Sequence, residues 1–329
     1  MKNDMIPLIS SFSKEGIDFI NVKNNVGMDV TFANLGAAIY QIKYEDELMT
    51  SQVKDVKDFL SHKIHNGKAV GRVSGKIEGG LFIGDNKYIV HPNDDENGKN
   101  KEGIGSKKFA SRVFTTTEHV HVVYTYFSKA GSSGYPGNAL FEVHYIISNN
   151  KPKLKIKMLN YVTETTPISM TVHTFFSLGE KSIKDLKMAI KAKKYLELDP
   201  ATLSLGEVKE VSPCLDFTRM KAITKDIEDK SINTKKLAGY DHCYLFDKVD
   251  EEKSQIQIES KKYKVDIYTD LDAVVVYSDN TKDGIARDNS NEPYRRGISI
   301  EPQRNPKDNI LINRKDEFSY FIRYEFSKK

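Results

Sequence analysis

Cysteine is scarce: the 329 residues hold two, Cys214 and Cys243. Two thiols cannot build a metal cluster of the usual spacing or a disulfide framework, so a reducing setting, the cytoplasm, is expected. A dominant charge is missing as well, since 50 basic residues against 46 acidic ones leave a net +4. That excess is too small and too dispersed for a nucleic-acid surface. The lysines of 151–157 alternate with Pro152, Leu154 and Ile156, as the wet face of a strand does. Long apolar runs are also lacking: nothing approaches the ~18 residues of a membrane helix, and MKNDMIPLIS has no apolar stretch behind its lysine. The expectation is a chain neither exported nor membrane-embedded. No glycine-rich loop joins a strand to a helix and no strand-helix rhythm recurs, which argues against nucleotides and cofactor-dependent chemistry.

What is present is alternation. Segments 119–127, 141–148, 154–163, 255–259, 263–269, 273–278 and 318–326 repeat with period two and are rich in Val, Ile, Tyr, Phe and Thr. Such segments predict half-buried strands. Turn residues punctuate them at 84–86, 131–137, 148–150 and 279–280. Helical spacing is confined to 51–65, with Val53, Val56, Phe59 and Leu60 on one side, and more weakly to 223–236. The polar stretch 92–106 reads as a loop, either a disordered arm or a binding loop. With 39% hydrophobic residues and no linker or repeat, the chain reads as all-β and mainly antiparallel, one large β-sandwich domain over 1–329.

Most of the eight histidines have ordinary contexts. His119 and His121 share a strand face as a metal pair would, but no third ligand accompanies them, and ordinary strand positions are expected. His62, His65 and His144 carry no further signal. His173 interrupts the apolar ISMTVHTFF, where burying a titratable ring is costly. Glu301 follows Ile298 and Ile300 in GISIEPQ; it either ends a strand in solvent or is a carboxylate desolvated for proton transfer. Asp241 opens a strand in GYDHCYLF, suited to a polar ligand contact or to a turn.

Taken in order, HTFFSL around His173, GYDHCYLF around Asp241 and GISIEPQ around Glu301 resemble the aldose 1-epimerase (galactose mutarotase) family. LGAAIYQI at 35–42, VGRVSGKIEGGLF at 70–82, SSGYPGNALFEVHY at 132–145 and AVVVYSDN at 273–280 extend the likeness over nearly the whole chain. The resemblance implies a β-supersandwich that interconverts the α and β anomers of a free aldose without metal or nucleotide. It implies Glu301 as base at the C1 hydroxyl, His173 as acid at the ring oxygen, and Asp241 gripping sugar hydroxyls. Arg72, Lys76 and Val275 would complete the substrate contacts.

This chain departs from the family pattern at three places. Gly75 and Lys76 stand where an asparagine-arginine pair is usual, and lysine keeps the charge but loses the planar fork. The stretch NKEGIGSKKF lacks the family's first histidine, and Val275 replaces a glutamine. The expected substrate is therefore a different aldose, a disaccharide or a modified sugar. Two other readings remain open. One is a carbohydrate-binding module without turnover. The other is a hexose-phosphate epimerase, whose phosphate would need converging arginines drawn from Arg72, Arg295, Arg296 and Arg304, although adjacent Arg295 and Arg296 would point apart. In each case the partner is a small-molecule sugar and the chain a monomer or homodimer.

Overall fold

The computed structural model describes residues 6–60, 65–74, 81–90, 103–198, 205–232, 237–308, 310–314, 316 and 318–329. The period-two segments are strands within two large sheets, and every strand-strand ladder among the described residues is antiparallel. A nine-stranded sheet has as its centre His119–Ser128, Ala139–Ser148, Lys153–Val162, Phe318–Lys328 and Tyr263–Thr269. Its register shows why alternation was informative. Val122, Tyr145, Ile156 and Ile322 are successive cross-strand partners and all are fully buried. The next row, Val123, His144, Lys157 and Phe321, turns to the opposite face.

A six-stranded sheet supplies Val274, Val276, Ile298 and Ile300 to the same apolar cluster as that inner row, which makes the architecture a β-sandwich. Each such aliphatic side chain contributes about 1.5–3 kcal/mol by leaving water. A third sheet is a meander from Leu8–Lys14 to Glu47–Leu48. It sends Val22, Val30 and Ile42 into the main core, while Phe19, Ala33 and Ala38 pack with Val56 and Phe59 of a short helix.

That helix corrects the sequence expectation for 51–65, because it occupies only Val56–Leu60 in the described part, 61–64 lying outside it. Residues 51–53 are drawn into pairing instead. The Ser51 amide donates to the Phe175 carbonyl, the Gln52 amide donates to Asp288 Oδ1, and Val53 bridges to Arg287. Of the weaker helical candidate 223–236, residues 223–232 are a chain of turns and not a helix, with the Asp229 amide donating to the Asp226 carbonyl and Ile232 to Asp229, and 233–236 lies outside the described residues. Of the 92–106 loop, 92–102 lies outside the described residues, and Ile104–Ser106 forms a buried 3-10 turn. His121 stacks on Phe114 at 4.5 Å. No helix among the described residues is long and apolar enough to cross a membrane.

The connection between Ala273–Tyr277 and Ile298–Gln303 is pinned by a buried ionic cluster. Arg296 donates from Nε to Asp279 Oδ2 (2.7 Å), from Nη2 to Asp279 Oδ1 (2.9 Å) and from Nη1 to Asp283 Oδ1 (3.0 Å). Arg287 donates to Asp283 Oδ2 at 2.8 Å, and the Arg296 amide donates to Asp279 Oδ2. Burial opposes the charge on Arg296, but its two carboxylates more than offset this and raise its pKa. Removing one partner would strand the rest in low dielectric. Asp279→Ala is therefore expected to lower the unfolding free energy in denaturant melts by about 3–5 kcal/mol. Glu228→Ala, which removes a largely exposed partner of Arg295, is expected to change it by less than about 1 kcal/mol.

Candidate active site

The six-stranded sheet runs in the order Phe175–Phe176, Ile298–Gln303, Ala273–Tyr277, Asp241–Leu245, Lys194–Leu198, Leu205–Glu210. Because 274, 276, 298 and 300 point into the core, the alternate residues share the other face. Register arranges them in two rows. Asp241, Tyr277, Ser299 and Phe175 are successive partners in one, and Cys243, Val275 and Glu301 in the next. Continuing the Phe175–Ser299 register by two residues brings His173 beside Glu301. Four sequence candidates, His173, Asp241, Val275 and Glu301, thus meet on one face from four separate segments.

His173 Nε2 lies 3.2 Å from Glu301 Oε1. Ser299 Oγ is 3.0 Å from His173 Nδ1 and donates to Glu301 Oε1, also at 3.0 Å. The His173 backbone is held by donation of its amide to the Lys68 carbonyl and by the Gly67 amide donating to its own carbonyl. Its ring packs against Phe175 (4.9 Å) and the edge of Tyr277 (6.1 Å). Glu301 is only 7% exposed. Burial of this kind strengthens each polar contact the pair makes.

The neighbours are inert by comparison. Burial raises the Tyr277 phenol to about 12, and its oxygen lies 3.1 Å from Thr281 Oγ1 and accepts from the Asn280 amide. Burial likewise pushes the Cys243 thiol up to about 12, with Asp272, Asp241 and Glu301 adding to the effect. Neither is a proton donor or nucleophile at neutral pH. Val275 belongs to an apolar patch with Leu196, Cys243 and Ala273.

Asp241 is presented by a glycine that nothing else could replace. Gly239 has φ of 146°, and a Cβ there would sit 2.5 Å from Asn280 Oδ1 and 2.7 Å from Ser278 Oγ. Next to it, the Asp241 amide donates to His242 Nδ1 at 3.1 Å, which requires that nitrogen to be bare. Burial agrees, pushing His242 down to about 4. A histidine kept neutral contributes stability that is complete above its ordinary value near 6.5 and is lost as pH falls toward 4. Between pH 7 and 4.5 the wild type is expected to lose about 2 kcal/mol more than His242→Leu in denaturant melts.

Other expectations resolve differently. Lys76 lies outside the described residues. Arg72 is no sugar contact in this geometry but a clamp. Its Nη1 donates to the Pro136 carbonyl (2.7 Å), and its Nη2 donates to the Gly137 (2.9 Å) and Lys129 (3.2 Å) carbonyls and to Ser128 Oγ (3.1 Å). These bonds pin the 128–137 turn. The four arginines proposed to converge on a phosphate do not. Arg295 bonds Glu228 and the Ala238 carbonyl, Arg296 its two aspartates, Arg72 its turn, and Arg304 lies over the Phe318 ring.

Two neighbours of the His173–Glu301 pair, His65 and Ser299, carry no signal in the sequence. Gly105, from the stretch without a histidine, packs on His65, where a Cβ would meet Nδ1 at 3.1 Å. The His65 ring lies 6.3 Å from that of His173. Ser299 was overlooked because a serine alternating with isoleucines is unremarkable until the strand register is known. A cavity of about 390 Å³, lined by Lys54, Lys181, Asp288, Asn289 and Glu292 among others, includes none of the two rows.

A carboxylate and an imidazole 3.2 Å apart on the outward face of a β-sandwich sheet are chemically able to pass a proton. The sequence profile described as aldose 1-epimerase matches residues 18–325, and the chain belongs to that family. It is 27% identical over 196 residues to a galactose mutarotase of Sus scrofa, covering 58% of this chain and 54% of that protein. It is 24% identical over 264 residues to an aldose 1-epimerase of Escherichia coli, covering 76% and 75%. The chain spans about half the length of the first curated relatives it matches (48% and 54%). A crystal structure titled galactose 1-epimerase from Lactobacillus acidophilus has the same fold, with a TM-score of 0.84 at 22% identity over 98% of this chain and 99% of that one.

Proposed function

We propose that the chain interconverts the α and β anomers of a free aldose or a related sugar by acid-base ring opening. The observation that carries this reading is the 3.2 Å approach of His173 Nε2 to Glu301 Oε1 on a face that also bears Asp241. A hemiacetal carbon bears both reacting oxygens, the C1 hydroxyl and the ring oxygen, so acid and base must stand side by side.

Glu301 removes the proton from the C1 hydroxyl while His173 Nε2–H protonates the ring oxygen, and the bond between C1 and the ring oxygen breaks to give the open aldehyde. After rotation about C1–C2, His173 takes the proton back from the attacking hydroxyl and Glu301 returns its proton to the carbonyl oxygen. Both groups end as they began. Asp241 lies two strands and two residues from Glu301, about 12 Å at the backbone, which leaves room for one sugar ring held by charge-assisted hydrogen bonds. His65, whose ring lies 6.3 Å from that of His173, is assigned to one of the ring's remaining hydroxyls, and Val275 forms an apolar wall. The dispersal of the four arginines speaks against a phosphorylated substrate. Two buried, unpaired cysteines accord with a cytoplasmic setting.

Polarimetry or NMR of freshly dissolved sugars tests this. Wild type is expected to accelerate mutarotation of at least one member of a broad panel of free sugars, and Glu301→Gln to lose about 10²- to 10⁴-fold of that acceleration. No acceleration of any sugar, with sugar-dependent thermal stabilisation intact, would establish the binding-module reading in its place.

A further inference from the structure

We propose that Ser299 is a positioning residue that fixes which nitrogen of His173 carries the transferable proton; this rests on the acid-base reading above. The Ser299 side chain is fully buried. Its hydroxyl has one proton to give, and it lies 3.0 Å from each of two groups, Glu301 Oε1 and His173 Nδ1. An ionised carboxylate only accepts, so the hydroxyl donates to Oε1, and its lone pair then accepts from an N–H at Nδ1. His173 therefore keeps a proton on Nδ1 throughout. Nε2, facing Oε1 at 3.2 Å, is the position that gains and loses one.

Two hydrogen bonds link the three groups, Nδ1–H to Oγ and Oγ–H to Oε1, and Nε2 is the ring nitrogen outside that chain. Ring opening begins when the imidazole bears both protons and the carboxylate none. After the transfer, Nε2 is bare and Glu301 protonated, while the Nδ1–H bond to Ser299 persists. Without the hydroxyl, Nδ1 has lost this acceptor, and the imidazole is free to place its single proton on either nitrogen. A neutral ring that carries its single proton on Nε2 has no lone pair there and cannot take the proton back when the sugar ring closes. Tyr277 and Phe175, packed on the His173 ring, limit its rotation but cannot choose the nitrogen.

The test combines kinetics with 15N NMR of histidine-labelled protein, on wild type, Ser299→Ala and Ser299→Thr. In Ser299→Ala, kcat for mutarotation is expected to fall about 10- to 100-fold with KM within about twofold, since a misplaced acid weakens the transition state more than sugar binding. Ser299→Thr, which keeps the hydroxyl, is expected to recover to within about threefold of wild type. The His173 Nδ1 resonance of sugar-free wild type is expected to show a fixed N–H, and that of Ser299→Ala a mixture of tautomers. Unchanged kcat in Ser299→Ala, or a His173 spectrum indifferent to the substitution, would overturn the proposal. The NMR arm needs no substrate. A spectrum that changes in a protein accelerating no sugar would sink the mutarotase reading while leaving the assignment of Nδ1 standing.

Discussion

The antiparallel register of the six-stranded sheet is the constraint on which the site depends. Its alternate side chains must satisfy two demands of opposite kind. Val274, Val276, Ile298 and Ile300 have to fill a dry core against the nine-stranded sheet, and their neighbours 275, 277, 299 and 301 then have no freedom in where they point. A slip of one residue would bury Glu301 among aliphatic side chains and expose the isoleucines. The free energy that sets the register is hydrophobic, and the acid-base pair inherits its position from it. This explains how a site assembled from residues 173, 241, 275 and 301 can be held within hydrogen-bonding tolerance by short strands. Phe175–Phe176 has only two residues, yet its register with Ser299 and Ile298 is what aligns His173 with Glu301.

Buried charge in this chain divides between fastening and chemistry. Arg72 and Arg296 are each almost completely buried, and each spends its guanidinium on groups of the chain itself. Arg72 collects backbone carbonyls around the 128–137 turn, while Arg296 ties the connection after Tyr277 to Asp279 and Asp283. A planar guanidinium with five donors suits either task, since it can meet several fixed acceptors at once. Glu301 and His173, linked through Ser299, differ in the role proposed for them, which is to exchange protons with a ligand rather than to fasten the chain. The first kind of site resists change, and the second is arranged to undergo it.

The strands were readable because a half-buried strand writes itself into sequence as period two; 119–127, 154–163 and 263–269 were recognised from that alone. His173 and Glu301 are readable as residues whose chemistry clashes with apolar surroundings and Asp241 as a carboxylate opening a strand, and the motifs around them link them to a family. Other features could not be read so. Arg72 looked like a ligand contact, because sequence does not reveal which carbonyls a guanidinium will meet. Segment 51–65 has helical spacing, but the backbone of 51–53 found partners in Phe175, Asp288 and Arg287, and tertiary hydrogen bonds outweighed local preference. Ser299 and His65 became visible only through neighbours more than a hundred residues away in sequence.

The central claim is that one sheet face holds a hemiacetal between Glu301 and His173. A crystal structure of the protein soaked with a sugar whose mutarotation it accelerates tests this most directly. The account predicts the C1 hydroxyl within hydrogen-bonding distance of Glu301, the ring oxygen facing His173 Nε2, and a ring hydroxyl on Asp241. A sugar bound instead in the cavity beside Lys54 and Asp288, with the His173–Glu301 pair untouched, would contradict it.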